Sequence, residues 1–259
     1  MLFDSQQAFQ SQLRAASPNL YLFIDHDNID YQSFPLRNLI SGWINALSQY
    51  VDSGNILTAQ VRAFGGWYSG YSTSEQRFTA AQFYQAQLPT FLKVGEHRCR
   101  ISFKFADQLS LMNDHSPPFR ITHTVVNRSK PLTIGIKKPP VVCAHPECKL
   151  KEMKKWLKKA RACDQDSCPH SFSEAFDRLE QKQVDVHIAL DLVFLANTIG
   201  DYQHLALASD DLDILPALVA AKRIASSKRA TISLIRCNEP NSYVIETLSN
   251  ESILFIRLK

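Results

Sequence analysis

Four short runs of apolar, β-branched or aromatic residues, Tyr21 to Asp25, Ile56 to Phe64, His204 to Ser209 and Ala230 to Ile235, recur along the chain with amphipathic stretches after them. The stretches Leu36 to Tyr50, Val184 to Asn197 and Asp213 to Ala225 carry apolar residues at helical spacing. Strands alternating with helices of this length predict an α/β fold: a mostly parallel sheet flanked by crossover helices. The run at His204 to Ser209 is almost continuously apolar, as a strand covered on both faces must be. In such sheets ligands bind beyond the carboxyl ends of the strands, which is where Asp25 and Asp210 stand.

The middle of the chain is less regular. Phe78 to Leu88 reads as a helix, Lys93 to Phe105 (KVGEHRCRISFKF) alternates as an edge strand does, Asn113 to Pro118 as a turn, and Ile121 to Val126 as a further strand. A short helix is expected at the amino end, closed by a turn at Ser17-Pro18-Asn19. Residues 128–180 interrupt the alternation. They read as a small module inserted between a first part of the main domain, 1–127, and a second, 181–259.

Acidic side chains cluster where predicted elements change. Asp25 ends the first strand, Asp185 and Asp191 lie at the start and middle of one helix, and Asp210, Asp211 and Asp213 follow a later strand in ASDDLD. Carboxylates gathered at one sheet edge repel one another unless a cation sits among them. All-oxygen ligation suits Mg²⁺ or Mn²⁺ better than Zn²⁺, and the chemistry such an ion serves is phosphodiester hydrolysis. Asn28, three residues beyond Asp25, and Ser209, through its hydroxyl or its amide, are placed to contact a water or a phosphate oxygen. The competing reading is that aspartates after strands are turn and cap residues, with Asp213 capping the helix that follows. Asp185 and Asp191 stand about 240° apart around a helix, so both serve one ion only if regular helix begins after Asp185.

The set FIDHDN (Phe23 to Asn28), QVDVHIALD (Gln183 to Asp191) and LALASDDLDILPAL (Leu205 to Leu218) resembles the NYN domain family of the PIN-like superfamily of metal-dependent ribonucleases. The resemblance covers residues 20 to 65 and 182 to 236. It implies a PIN-like fold in which Asp25, Asn28, Asp185, Asp191, Ser209, Asp210 and Asp213 form an acidic, Mg²⁺- or Mn²⁺-binding site that cleaves RNA. Two departures stand out: His26 and Asp27 replace the usual glycine and acid of the first loop, and Asp210 and Ile214 replace a glycine and an aromatic in the last. The first bears on the shape of the first loop, and the second leaves open whether Asp210, Asp211 or both point inward.

Inside the inserted module, Cys143 and Cys148 repeat the spacing of Cys163 and Cys168, with fourteen residues between the pairs. Four thiolates so arranged can enclose one structural Zn²⁺, with His145 and His170 as alternative ligands. A unit with so few apolar residues would owe its fold to the metal. The linking segment KLKEMKKWLKKA (Lys149 to Ala160) has one apolar face, at Leu150, Met153, Trp156 and Leu157, and lysines elsewhere; it is either a solvated helix packed by Trp156 or an arm for phosphates. Trp67, Tyr68 and Tyr71 of GGWYSGY either stack on unpaired bases or pack their loop on the core. His26 reads as a loop histidine satisfied by neighbouring acids, with a proton donor or phosphate contact as its rival role.

The formal charge of +4 is mild, yet nine basic residues lie between Lys137 and Arg161 against two acidic ones, which marks a polyanion surface. No window is long and apolar enough for a membrane span, and the amino end lacks a secretory pattern, so a cytoplasmic protein is expected. The functional expectation is a metal-dependent endoribonuclease acting on RNA that is single-stranded or has unpaired regions. Its rival is an RNA-binding adaptor that keeps the fold without cleaving; a phosphohydrolase of small esters leaves the basic segment unexplained. Oligomeric state, a homo-oligomer included, stays open.

Overall fold

A computed structural model describes residues 20–31, 34–51, 56–107, 124–127, 179–181 and 183–258. The chain divides into two units, Met1–Thr124 with Lys182–Lys259, and Val125–Gln181. The described part of the second unit is an antiparallel ribbon of β7 (Val125–Asn127) and β8 (Leu179–Gln181). The four paired cysteines, His145, His170, the lysine-rich segment, the amino-terminal helix and the turns at 17–19 and 113–118 lie outside the described residues.

The first unit is a mixed α/β fold around a seven-stranded sheet. Its strands are β1 (Leu20–Asp25), β2 (Ile56–Phe64), β5 (Phe91–Val94), β6 (His97–Phe105), β9 (His204–Ala208), β10 (Thr231–Arg236) and β11 (Leu254–Arg257), in the order β11-β10-β9-β1-β2-β6-β5. All neighbours run parallel except the β5–β6 hairpin. The chain builds outward from β1 to β2 and β6 on one side, then returns to lay β9, β10 and β11 on the other. That reversal of strand order makes the carboxyl ends of β1 and β9 the topological switch point, where open α/β sheets bind ligands.

Period-two alternation gives the sheet two faces, each with its own core. Leu20, Leu22, Ile24, Ala59 and Val61 face one cluster that includes α1 (Leu36–Leu47), through Leu39, Ile40, Trp43 and Ile44, and α2 (Glu75–Gln87), through Ala80 and Tyr84. Phe23, Leu205, Leu207, Ile232 and Leu234 face another, with α3 (Val184–Thr198), α4 (Leu215–Ile224) and α5 (Ser242–Asn250). Ser74 and Asn241 cap α2 and α5 by accepting from the amides of Arg77 and Val244. Two short strands, β3 (Tyr68–Ser69) and β4 (Ser72–Thr73), form a separate hairpin.

The four apolar runs are strands within a residue or two of their expected bounds; α1 and α4 lie inside their expected spans, α2 begins three residues early at Glu75, and α3 runs one residue further, to Thr198. Lys93 to Phe105, expected as one edge strand, is two strands: Gly95, at φ +57°, makes the turn that folds β5 back on β6. β6 is therefore interior, and β5 is the edge. Ser242–Asn250 and Leu254–Arg257 were not anticipated; Pro240 and the polar residues around it hide a helix only nine residues long. Among the described residues no helix is long and apolar enough to cross a membrane. Leu22→Ala is expected to cost about 2–5 kcal/mol of unfolding free energy, and Ile56→Ala, at a position 60% exposed, less than about 1 kcal/mol. Urea denaturation reads both; equal losses would contradict the assignment of the two faces.

Candidate functional site

Asp25 is fully buried at the end of β1. Its Oδ2 accepts from the Asn28 amide at 2.9 Å and from the Ser209 hydroxyl at 2.7 Å, while Oδ1 is buried with no hydrogen-bond partner. A single turn of 3-10 helix, His26–Asn28, brings Asn28 back onto the carboxylate. The Asp210 amide donates to the Asn28 carbonyl at 3.1 Å, so the loops after β1 and β9 are fastened together twice. Burial is the main cause that raises the Asp25 pKa to about 6; the bonds from Asn28 and Ser209 oppose it, and the charges of Asp185 and Asp27 add to it.

The Ser209 hydroxyl also accepts from the Asp211 amide at 3.0 Å, and the Ser209 amide donates to the Ile235 carbonyl. Ser209 is fully buried. Both groups expected to meet a substrate are thus used within the fold, and Ser209 orients Asp25 instead. Asp185, exposed in the first turn of α3, has its pKa raised by burial and then by the charges of Asp211 and Asp213. Asp211 Oδ1 accepts from the Asp213 amide, and the residue before α4 is Ile214, so Asp213 does not cap that helix. The acids in electrostatic contact are Asp25, Asp185, Asp211 and Asp213, with Asp27 beside them.

Two expected members are committed elsewhere. Asp191 is fully buried and pairs with the Arg62 guanidinium at 2.9 Å. Regular helix begins at Val184, so Asp185 and Asp191 occupy different faces of α3 and do not meet at one ion. Asp210 Oδ1 accepts from Arg236 Nε and from the amides of Cys237 and Asn238, and Oδ2 accepts from the Asn238 side chain. Arg236 also donates to the Asp210 carbonyl at 2.8 Å. Of the two adjacent aspartates, Asp211 is the one that faces the field of Asp185. Sequence reasoning missed Arg62 and Arg236, although an arginine near the carboxyl end of an otherwise apolar strand is a signal for a buried acidic partner.

The first loop rests on an aromatic nest. His26 lies 5.1 Å from the Tyr31 ring, 5.3 Å from Trp67 and 5.5 Å from Tyr84, with Nδ1 3.2 Å from the Tyr84 hydroxyl. Burial among these rings lowers its pKa, and the charge of Asp27 opposes that shift. Trp67 is buried and donates to the Ala63 carbonyl; of the three loop aromatics, Tyr71 alone is strongly exposed. A side chain at Gly65 would press on Trp67 at 2.8 Å and on the Asp27 carboxylate at 3.0 Å, which explains the glycine there.

Among the described residues, no three His, Cys, Asp or Glu side chains form a group that could hold a metal ion. A closed all-protein cage does not fit. The arrangement does fit Mg²⁺ held through one or two carboxylates, with water and phosphate oxygens completing the shell: Asp25 Oδ1 is an unpartnered buried acceptor, and Asp185 adds charge beside it. Compared with family models, with curated proteins and with solved structures, the chain finds no match in any of the three.

Asp25 protonates more readily in the folded chain than in the unfolded one, where the value is near 3.8. Between those two values the folded state binds more protons, so its contribution to stability falls as pH rises from about 4 through 6. Two units correspond to about 3 kcal/mol. Asp25→Asn keeps an oxygen for Asn28 and Ser209, removes the buried charge, and is expected to raise stability at pH 7.5 and flatten this pH dependence. Asp191→Asn and Asp210→Asn are expected to do the opposite, losing about 2–4 kcal/mol by stranding Arg62 or the 236–238 donors. Urea titrations at pH 4.5 and 7.5 measure both; destabilisation by Asp25→Asn at the higher pH would refute the assignment.

Proposed function

We propose that this protein is a metal-dependent ribonuclease of the PIN-like, NYN-domain kind, hydrolysing RNA phosphodiester bonds at the carboxyl edge of β1 and β9. The observation that carries the reading is the Asp25 carboxylate: fully buried, anchored through one oxygen by Asn28 and Ser209, with the other left without a partner. A fold that needed this group only as a turn residue would bond both oxygens, as it does for Asp210. The chain order of strands and the place of the site at the switch point support the same reading.

Asn28 and Ser209 fix the direction of Asp25 Oδ1, the oxygen that would hold the cation. Asp25, with the charge of Asp185 near it, would hold a divalent ion, which would polarise the phosphoryl oxygen and offset charge on the leaving oxygen. Asp185 is exposed beside it, with a pKa raised by burial and by its acidic neighbours. In this reading Asp185 accepts the proton of an attacking water, the role of a general base; its exposure and its raised pKa support that role. Zn²⁺ held by Cys143, Cys148, Cys163 and Cys168 is the second metal of this proposal.

Labelled single-stranded RNA with Mg²⁺ or Mn²⁺ tests the first claim. Cleavage is expected in the parent, with a loss of about 10²-fold or more in Asp25→Asn and a smaller loss in Asp185→Asn. Mg²⁺ is also expected to raise the melting temperature of the parent and not of Asp25→Asn, a readout independent of turnover. The pairing of Asp191 with Arg62 and of Asp210 with Arg236 favours a second reading, an RNA-binding adaptor that no longer cleaves. Retained RNA binding with no metal-dependent cleavage in the parent would establish the adaptor. Elemental analysis should find zinc in the parent, released by Cys143→Ser with Cys163→Ser; zinc-free parent protein would remove the second metal.

A further inference from the structure

The sheet carries a basic face that none of the assignments above uses. On β1, β9 and β10 the face bearing Phe23, Leu207 and Leu234 is packed under helices. The register continues that face onto β2, β6 and β5, where Arg62 pairs with Lys104, and Arg98 and Arg100 lie opposite Lys93 and Phe91. Here the side chains change character: Arg98, Arg100, Lys104 and Lys93 are exposed, and Phe91 is 52% exposed. None of the strand positions on this face is acidic.

Like charges placed directly opposite on neighbouring strands are destabilising, so this arrangement needs a reason. Lysines on an edge strand discourage edge-to-edge pairing, which accounts for Lys93 on β5. It does not account for Arg98, Arg100 and Lys104, because β6 lies between β2 and β5 and has no free edge. Alternate residues on a strand are about 6.6 Å apart, a step comparable with the phosphate repeat of an extended nucleic-acid strand. The row ends at Lys104, where it meets Arg62, Asp107 and a cavity of about 500 Å³ at the carboxyl edge of β2 and β6.

We propose that the exposed face of β6 and β5 binds an unpaired RNA strand, with Arg98 and Arg100 on successive phosphates, Lys104 two such steps further along, and Phe91 stacked on a base. Charge complementarity selects a polyanion, and the exposed aromatic beside a flat row of cations selects unpaired bases over a duplex. The strand so held runs toward the carboxyl edge of the sheet. The proposal deepens the nuclease reading and rests on it for the fate of the strand, though binding is measured without it.

The test is anisotropy of a labelled oligouridylate in EDTA over a salt series, with Arg98→Gln/Arg100→Gln/Lys104→Gln, Phe91→Ala, and Lys222→Gln/Arg229→Gln as a control at the opposite end of the sheet. The triple variant is expected to bind about tenfold or more weakly and to lower the salt slope by about 2. Phe91→Ala should lose roughly fivefold at unchanged slope, and the control should match the parent. All positions are exposed or half-buried, and thermal melts confirm folding. Unchanged affinity and slope in the triple variant, a loss equal to it in the control, or a change only in melting temperature or oligomeric state, each overturns the proposal. Absence of cleavage with these binding losses intact would sink the nuclease reading and leave this one standing.

Discussion

The carboxyl edge of the sheet depends on one buried hydrogen bond, the Ser209 hydroxyl donating to Asp25 at 2.7 Å across 184 residues of sequence. It joins the ends of β1 and β9 at the place where the sheet reverses direction. Because Ser209 also receives the Asp211 amide, the same hydroxyl sets the path of the loop that carries Asp211 and Asp213. The bond lies in a dry environment, where an unsatisfied partner would be costly. Yet the Asp25 carboxylate is left half-bonded, and burial raises its pKa to about 6 against the bonds from Asn28 and Ser209. Stability is given up at that point, in the manner of sites arranged for a ligand.

Around this bond the chain sorts its aspartates by what faces them. Asp191 and Asp210 meet arginines projecting from β2 and β10, and they fasten α3 and the last loop to the sheet. Buried pairs of this kind need not add net stability, but losing one partner is expensive. Asp25, Asp185, Asp211 and Asp213 instead feel one another, and their mutual repulsion is what a cation would relieve. Residue type is the same in both groups; the neighbouring strand decides the role.

The two halves of the sheet divide covering and exposure in a related way. On one side of β1 both faces are buried under helices, and the strands are apolar throughout, as in β9. On the other, α1 and α2 cover a single face and β6 alternates between Cys99 or Ile101 inward and Arg98 or Arg100 outward. The alternation that suggested a sheet edge is the mark of a strand with one open face, and an interior strand with a cationic face has surface that a partner can use.

By itself the sequence determined the secondary structure that matters for the site. Short apolar runs at Leu20–Asp25 and His204–Ala208 read as strands buried on both faces, and short strands between amphipathic helices read as a parallel sheet. It also determined that Asp25, Ser209 and Asp210 stand at strand exits, since that follows from counting along the chain. Tertiary structure decided which of those acids are available. Availability depends on the direction of a side chain and on the charge across from it, as with Arg62 beside Asp191 and Arg236 beside Asp210, and these contacts join residues 129 and 26 positions apart. Local periodicity specifies which face a residue takes, whereas the partner on that face comes from a strand whose place in the sheet is set by the packing of the whole domain.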